Sequence, residues 1–209
     1  MAANRDLKQI KILYPEEDEE NEKSLIKNMI HKNKIFCLKH NPGNEEEFFV
    51  GTEDGVYLYN IFNLIGEGDD KNKNIDPEKI FIDKNEDKSN HVCITFIEED
   101  KNYFIEGDSI GIVRIWSIKE GELKKKIKRG ILKYQITSLD SWSGRFIVGG
   151  TRDGKLVIFD IFDAIAFAEF GEHNGYVYCV KASENWKYEK IITSCGFDGE
   201  LKIWASIDD

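Results

Sequence analysis

The stretch SCGFDGELKIW, Ser194 to Trp204, reads as a strand, a tight turn and a second strand that ends in tryptophan. Asp198-Gly199 is the turn signal, because both central positions of a type I′ hairpin need positive φ and Asp-Gly is among the pairs that supply it. After the turn, Leu201 and Ile203 alternate with Glu200 and Lys202, the period of two that marks a strand. The pattern returns three times upstream, as GTRDGKLVIFD from Gly150, GDSIGIVRIW from Gly107 and GTEDGVYLYN from Gly51. The aromatic residues that close the four copies, Tyr59, Trp116, Phe159 and Trp204, are 57, 43 and 45 residues apart. Recurrence near that interval predicts a β-propeller with four strands per blade.

On these residues the chain resembles the WD40-repeat family, over roughly residues 24–206. His173 stands where that family has the His of its Gly-His pair, Asp198 where it has the turn aspartate and Trp204 where it has the strand-end tryptophan. The resemblance implies that Ser194 is the fourth member of this hydrogen-bonded set. His31 lies four residues before Ile35, as His173 lies four before Val177, so His31 is the matching histidine of the first copy. Asp54 and Asp153 are the matching turn aspartates, residues that hold a turn rather than do chemistry. The chain also departs from the pattern. Glu172 precedes His173 in place of Gly, Ala205 follows Trp204 in place of Asp, Ile110 replaces one turn aspartate, and Tyr59 and Phe159 replace Trp.

The fold expected is therefore all-β, a WD40-type propeller of about four to five blade equivalents, incomplete on its own or completed by another chain or segment. Residues 1–23 read as an N-terminal strand and an acidic loop, and residues 24–209 as the repeats, with blades at approximately 31–83, 91–129, 135–170 and 173–206. Residues 7–14 look like the third strand of an earlier blade and 24–30 like an outer strand; either could supply the strand missing from the last blade. Cys37, Cys93 and Cys179 fall at one place in three repeats, and Thr137 takes it in the remaining one. A small residue on the innermost strand explains all four better than a metal site, which wants paired close ligands. Asp70, Asn72, Asn74 and Asp76 alternate as in a calcium loop, but Ile75 and Phe81 sit where that loop needs Gly and Glu, so a surface loop is the better reading. The apolar segment DAIAFAEF, Asp163–Phe170, is expected to pack between blades; a short helix or a partner face are the alternatives.

A net charge of −10 disfavours a protein that tracks nucleic-acid phosphates. No stretch approaches the ~18 apolar residues of a membrane span. The expected placement is cytoplasmic, or nuclear if the run Lys124–Arg129 serves as an import signal; edge protection of an outer strand explains the same run. The acidic run 16–22 reads as a solvated turn or as a docking site for a basic partner.

The sequence holds no phosphate-cradling loop, no nucleophile elbow and no Cys-x-x-Cys, and it points to no cofactor, metal or small-molecule substrate. A non-catalytic interaction scaffold or complex subunit is expected, acting through other proteins. The alternatives are a structural subunit that needs a partner to complete its propeller, or a regulatory subunit of an enzyme complex. The resemblance implies that partners dock on the face where the turns between second and third strands emerge. The residues just before the turn aspartate reach that face, here Glu53, Arg152 and Phe197, with Lys34 and Tyr176 at the matching boundary-loop position. Arg, Tyr and Phe are the side chains enriched at interfaces.

Overall fold

The computed structural model describes residues 2–4, 9–14, 25–65, 75–84, 89–128, 134–183 and 191–205. Within them, eighteen strands form five antiparallel sheets that follow one another along the chain. The N-terminal sheet holds β1 (Ala2–Asn4), β2 (Gln9–Tyr14) and β3 (Leu25–Ile30). The first blade is β4 (Ile35–His40), β5 (Glu47–Thr52), β6 (Val56–Asn60), a short helix α1 (Ile61–Ile65) and β7 (Lys79–Phe81). The second is β8 (His91–Phe96), β9 (Tyr103–Asp108), β10 (Ile112–Ser117) and β11 (Glu122–Lys128). The third is β12 (Ile136–Ser141), β13 (Phe146–Thr151), β14 (Leu156–Asp160) and β15 (Ile165–Phe170). The fourth has three strands, β16 (Val177–Ser183), β17 (Ile191–Gly196) and β18 (Leu201–Ala205). The inner strands β4, β8, β12 and β16 are neighbours in that order, the radial arrangement of propeller blades.

Both faces of a middle blade are covered, so its central strands are buried without a break, as β10 shows along its whole length. Alternate residues turn to opposite neighbours. Phe104 and Trp116 pack back on Phe49, Leu58 and Phe81 of the first blade. Ile105, Val113 and Ile115 pack forward on Ile136, Leu139 and Ile147 of the third. Each of the four junctions between successive sheets has its own hydrophobic cluster. The inner-strand position of the cysteines stitches the same junctions: Cys37 Sγ donates to the His91 carbonyl at 3.6 Å, Cys93 Sγ to that of Ile136 at 3.9 Å, and Thr137 Oγ1 to that of Val177 at 2.5 Å. Cys179, the fourth member, is exposed.

Several sequence expectations are corrected. The Asp198-Gly199 turn is not type I′. Gly199 has φ of +75°, but Asp198 is absent from the non-glycine residues with positive φ. Strand pairing leaves three residues in the loop, and the Gly196 N–H donates to the Glu200 carbonyl at 3.3 Å while the Gly199 N–H donates back to Gly196 at 3.2 Å. A three-residue loop needs one left-handed residue after a type I turn, not two. Gly111 and Gly154, both at +86°, make the same turn in the second and third blades. The first blade closes with two residues, Glu53 and Asp54, because its copy is one residue shorter.

The segment expected to pack between blades, DAIAFAEF, does so only in part: it forms outer strand β15, whose Phe170 packs on Trp204 of the fourth blade, centroids 5.4 Å apart, while Ile165 is 48% and Phe167 62% exposed. Neither N-terminal segment completes the last blade: β2 and β3 pair with each other, and β1 joins them. Among the described residues the fourth blade has no outer strand, and the propeller is incomplete. The acidic run 16–22, Asp70, Asn72, Asn74 and Arg129 lie outside the described residues.

Candidate functional site

The strand–turn–strand stretch Ser194–Trp204 folds back on His173, which lies just ahead of inner strand β16. The buried His173 ring contacts both Asp198 carboxylate oxygens through Nδ1 at 3.0 Å and Ser194 Oγ through Nε2 at 2.8 Å. The Trp204 indole N–H donates to the same Ser194 oxygen at 3.1 Å. The four residues singled out in the last repeat are thus one hydrogen-bonded chain that ties both ends of the turn to the blade boundary. Burial pushes the Asp198 carboxyl upward, but hydrogen bonds from His173 and from the N–H groups of Asn174 and Glu200 outweigh it and hold its pKa at about 2.

The other blades solve the same problem differently. In the first, His31 is buried edge-on to Tyr57, with centroids 4.6 Å apart, and Asp54 accepts from the hydroxyls of Thr52 at 2.8 Å and Tyr57 at 3.0 Å. Partial burial raises the Asp54 pKa, and the two hydroxyls, with Lys32 nearby, bring it below the usual carboxylate value. In the third, Asp153 accepts from the Thr151 hydroxyl.

The second blade, which lacks a turn aspartate, carries a buried charged network that the sequence reading missed. Glu106 accepts from the Trp116 indole at 3.1 Å and pairs with His91. Arg114, only 1% exposed, donates to Asp108 at 2.8 Å and to Asp83 at 3.1 Å. Asp108 also accepts from the backbone N–H of Ile110 and Ile112, which fixes the turn from the opposite end to Ile110. Glu106 and Arg114 are cross-strand partners amid apolar neighbours, and that pairing was the available signal. No buried side-chain N or O of this network lacks a hydrogen-bond partner, the satisfaction that a buried structural network needs.

The docking residues proposed from sequence fall into two groups. Arg152, Tyr176 and Phe197 form one contiguous exposed cluster. The Arg152 guanidinium donates to the Tyr176 hydroxyl at 3.0 Å and lies 4.9 Å from its ring centroid, and the Tyr176 and Phe197 rings are 6.1 Å apart. Backbone bonds fix the platform: the N–H of Arg152 donates to Gln135 at 3.0 Å and that of Phe197 to Tyr176 at 2.8 Å. The cluster therefore spans the junction of the third and fourth blades. Glu53 lies apart, lining a cavity of about 380 Å³ with Asn33, Asp54 and Asn90 between the first and second blades. Lys34 is exposed at the first blade's boundary. Among the described residues no hydrogen bond or ion pair joins either of them to the Arg152 cluster.

The lysine run is drawn into the fold. Lys124 pairs with Glu120 and Glu122, Lys125 donates to the Ile161 and Phe162 carbonyls at 2.9 and 2.7 Å, and Lys126 pairs with Asp83 at 2.5 Å. Lys79 makes the equivalent bridge one blade earlier, to Ile118 and Lys119. No helix among the described residues is long and apolar enough to cross a membrane.

Stacked antiparallel sheets joined by these turn and boundary bonds define a β-propeller repeat protein. Residues 166–205 match the family described as WD domain, G-beta repeat. The crystal structure of RRP9 WD40 repeats superimposes with a TM-score of 0.64 over 83% of this chain and 48% of that one, at 13% identity. The nuclear distribution protein nudF of Emericella nidulans is 24% identical over 103 residues, 49% of this chain and 23% of that protein. Residues 166–205 thus carry a WD40 repeat, the described chain has the fold of a WD40-type β-propeller, and it spans less than half the length of either relative.

Proposed function

We propose that this chain is a non-catalytic docking subunit of a multiprotein assembly, and that it holds a partner on the face formed by Arg152, Tyr176 and Phe197. WD40 repeats generally mediate protein–protein contacts, and repeat folds act through the surface that their units present together. The observation that carries the reading is the cluster itself. Two aromatic rings and a guanidinium are exposed, in mutual contact and fixed by backbone bonds to the scaffold, which lowers the ordering cost of binding. Photo-crosslinking in cells of the source tests it. A benzophenone amino acid placed at Phe197 should yield discrete adducts with other proteins, and one placed at Asp100, in the turn after β8, should not. Equal labelling from both positions overturns the assignment of the face.

A second reading is favoured by the last blade. Leu201 and Ile203 are 70% and 66% exposed, whereas Leu156 and Ile158, at the same positions of the third blade, are 0% and 8% exposed under the fourth. A further blade, supplied by a neighbour or by more of the same protein, would cover this face and make the chain a structural subunit. Native mass spectrometry of the protein from its source separates the two. Partners that stay bound when Leu201 and Ile203 are made polar support docking at the loop face, and partners lost together with them support propeller completion. The intramolecular acceptors of Lys124, Lys125 and Lys126 favour a cytoplasmic placement over one that relies on that run for import; imaging a fluorescent fusion reports it.

A further inference from the structure

Three arginines fall among the described residues, and two are neutralised within the chain. Arg114 lies between Asp83 and Asp108, and Arg145 between Asp160 and Asp163. Among the described residues Arg152 has no carboxylate partner; its side-chain contacts there are the hydroxyl and ring of Tyr176. A guanidinium carries five N–H donors, so most of this fork has no acceptor among the described residues. Contact with the ring and the bond to its hydroxyl restrict the fork before any ligand arrives.

The surrounding charges are already engaged. Asp153 accepts from the Thr151 hydroxyl, and Asp198 from His173 and two backbone N–H groups. Lys155 donates to the Gly171 carbonyl at 3.2 Å and Lys202 to that of Glu172 at 2.5 Å. Among the described residues no carboxylate forms an ion pair with Arg152, on a chain whose net charge is −10. Beside it, Phe197 is 66% and Tyr176 40% exposed, an apolar surface one side chain wide.

We propose that this corner recognises a linear acidic peptide, with one Asp or Glu carboxylate on the Arg152 fork and a neighbouring apolar residue on Phe197. The proposal rests on reading this face as the partner-binding one. A single planar fork matches a carboxylate bidentately, whereas phosphorylated motifs are held by arginine clusters. The chain's negative charge repels a polyanion such as nucleic acid, whereas a short peptide needs to place only one acid, on the guanidinium itself.

Selection of phage-displayed linear peptides on the full chain, followed by fluorescence polarisation with the synthetic winners, tests it. The selected pool should be enriched in Asp or Glu next to an aromatic or aliphatic residue. Arg152→Ala should weaken such a peptide about tenfold, equivalent to about 1.4 kcal/mol. Replacing the peptide's acid by its amide should cost the same on the unaltered protein and nothing further on the variant. Thermal melting of each variant separates lost binding from lost fold.

Peptides without acids that are lost on Phe197→Ala but kept on Arg152→Ala overturn the acidic class and leave the face standing. Peptides indifferent to both substitutions overturn the face as well, as does a library that yields no binder. A phosphoserine in place of the acid that binds much more tightly overturns the carboxylate assignment in favour of a phosphopeptide.

Discussion

Glu106 and Ser194 occupy the same rung of their blades, and each accepts an indole N–H at 3.1 Å, from Trp116 and Trp204 respectively. Serine completes its rung with the ring of His173, whereas Glu106 is fully buried between His91 and Arg114. The two acceptors therefore carry different energies. Ser194→Ala removes neutral hydrogen bonds and should cost about 1–2 kcal/mol. Glu106→Ala leaves buried charge short of its partner and should cost about 3–5 kcal/mol. Urea unfolding of both variants measures the difference; equal costs would show that the charge on Glu106 adds nothing to its role as acceptor.

The Asp198 carboxylate sets a pH window. Its folded pKa is depressed to about 2 from the ordinary 3.8, so its contribution to stability is fully present above the unfolded value and is lost as pH falls through about 2. Asp198→Asn should lower the melting temperature by a constant amount from neutral pH down to about pH 4. Between about pH 4 and 2 the two melting curves should converge. A gap that persists at pH 2 would mean that the amide disturbs the turn itself, independent of charge.

The repeat was legible because it is written in local chemistry: a turn glycine, a period of two and a strand-end aromatic fall at fixed intervals. The cluster of Arg152, Tyr176 and Phe197 followed from the same register, since equivalent positions reach one face. The second blade was opaque for the opposite reason. Arg114 sits at an alternating position where a polar residue ordinarily faces water, and only the stacking of a blade on each side buries it with Asp83 and Asp108. DAIAFAEF was legible only in part, because apolar alternation states that a strand forms but not how much of it is covered. The type I′ expectation failed on a single residue: Lys155, Glu200 and their counterpart widen the loop by one.

Gly51, Gly107 and Gly150 hold one position in the second strands of three successive blades. A Cβ there would lie 2.5 Å from the His91 carbonyl oxygen, 2.6 Å from Ile136 Cγ2 and 2.6 Å from Val177 Cγ1, each belonging to the next blade's inner strand. The fourth blade has Cys195 at this position. Alanine at any of the three glycines should cost about 1–3 kcal/mol by forcing two blades apart. Gly51→Ala should be the worst, since it meets backbone and not a side chain that can turn aside. Cys195→Ala should stay within about 0.5 kcal/mol. Chemical denaturation of the four variants tests the order, and a neutral Gly51→Ala would refute the close approach.

Leu156 and Leu201 pair with Gly150 and Cys195 across their hairpins, yet one is fully buried and the other 70% exposed. The difference is the presence of Val177, Val180 and Ile192 over Leu156. Leu156→Ala should therefore cost about 2–5 kcal/mol, the loss of a packed side chain plus the cavity it leaves. Leu201→Ala should cost less than about 0.5 kcal/mol in the isolated chain. Inside an assembly that covers the last blade the ranking changes, because burying a leucine there contributes about 1.5–3 kcal/mol. Unfolding measured over a range of protein concentrations, with and without the native partners, reads both states. A Leu201→Ala cost that rises with concentration in the isolated chain would mean that a second copy already occupies the face.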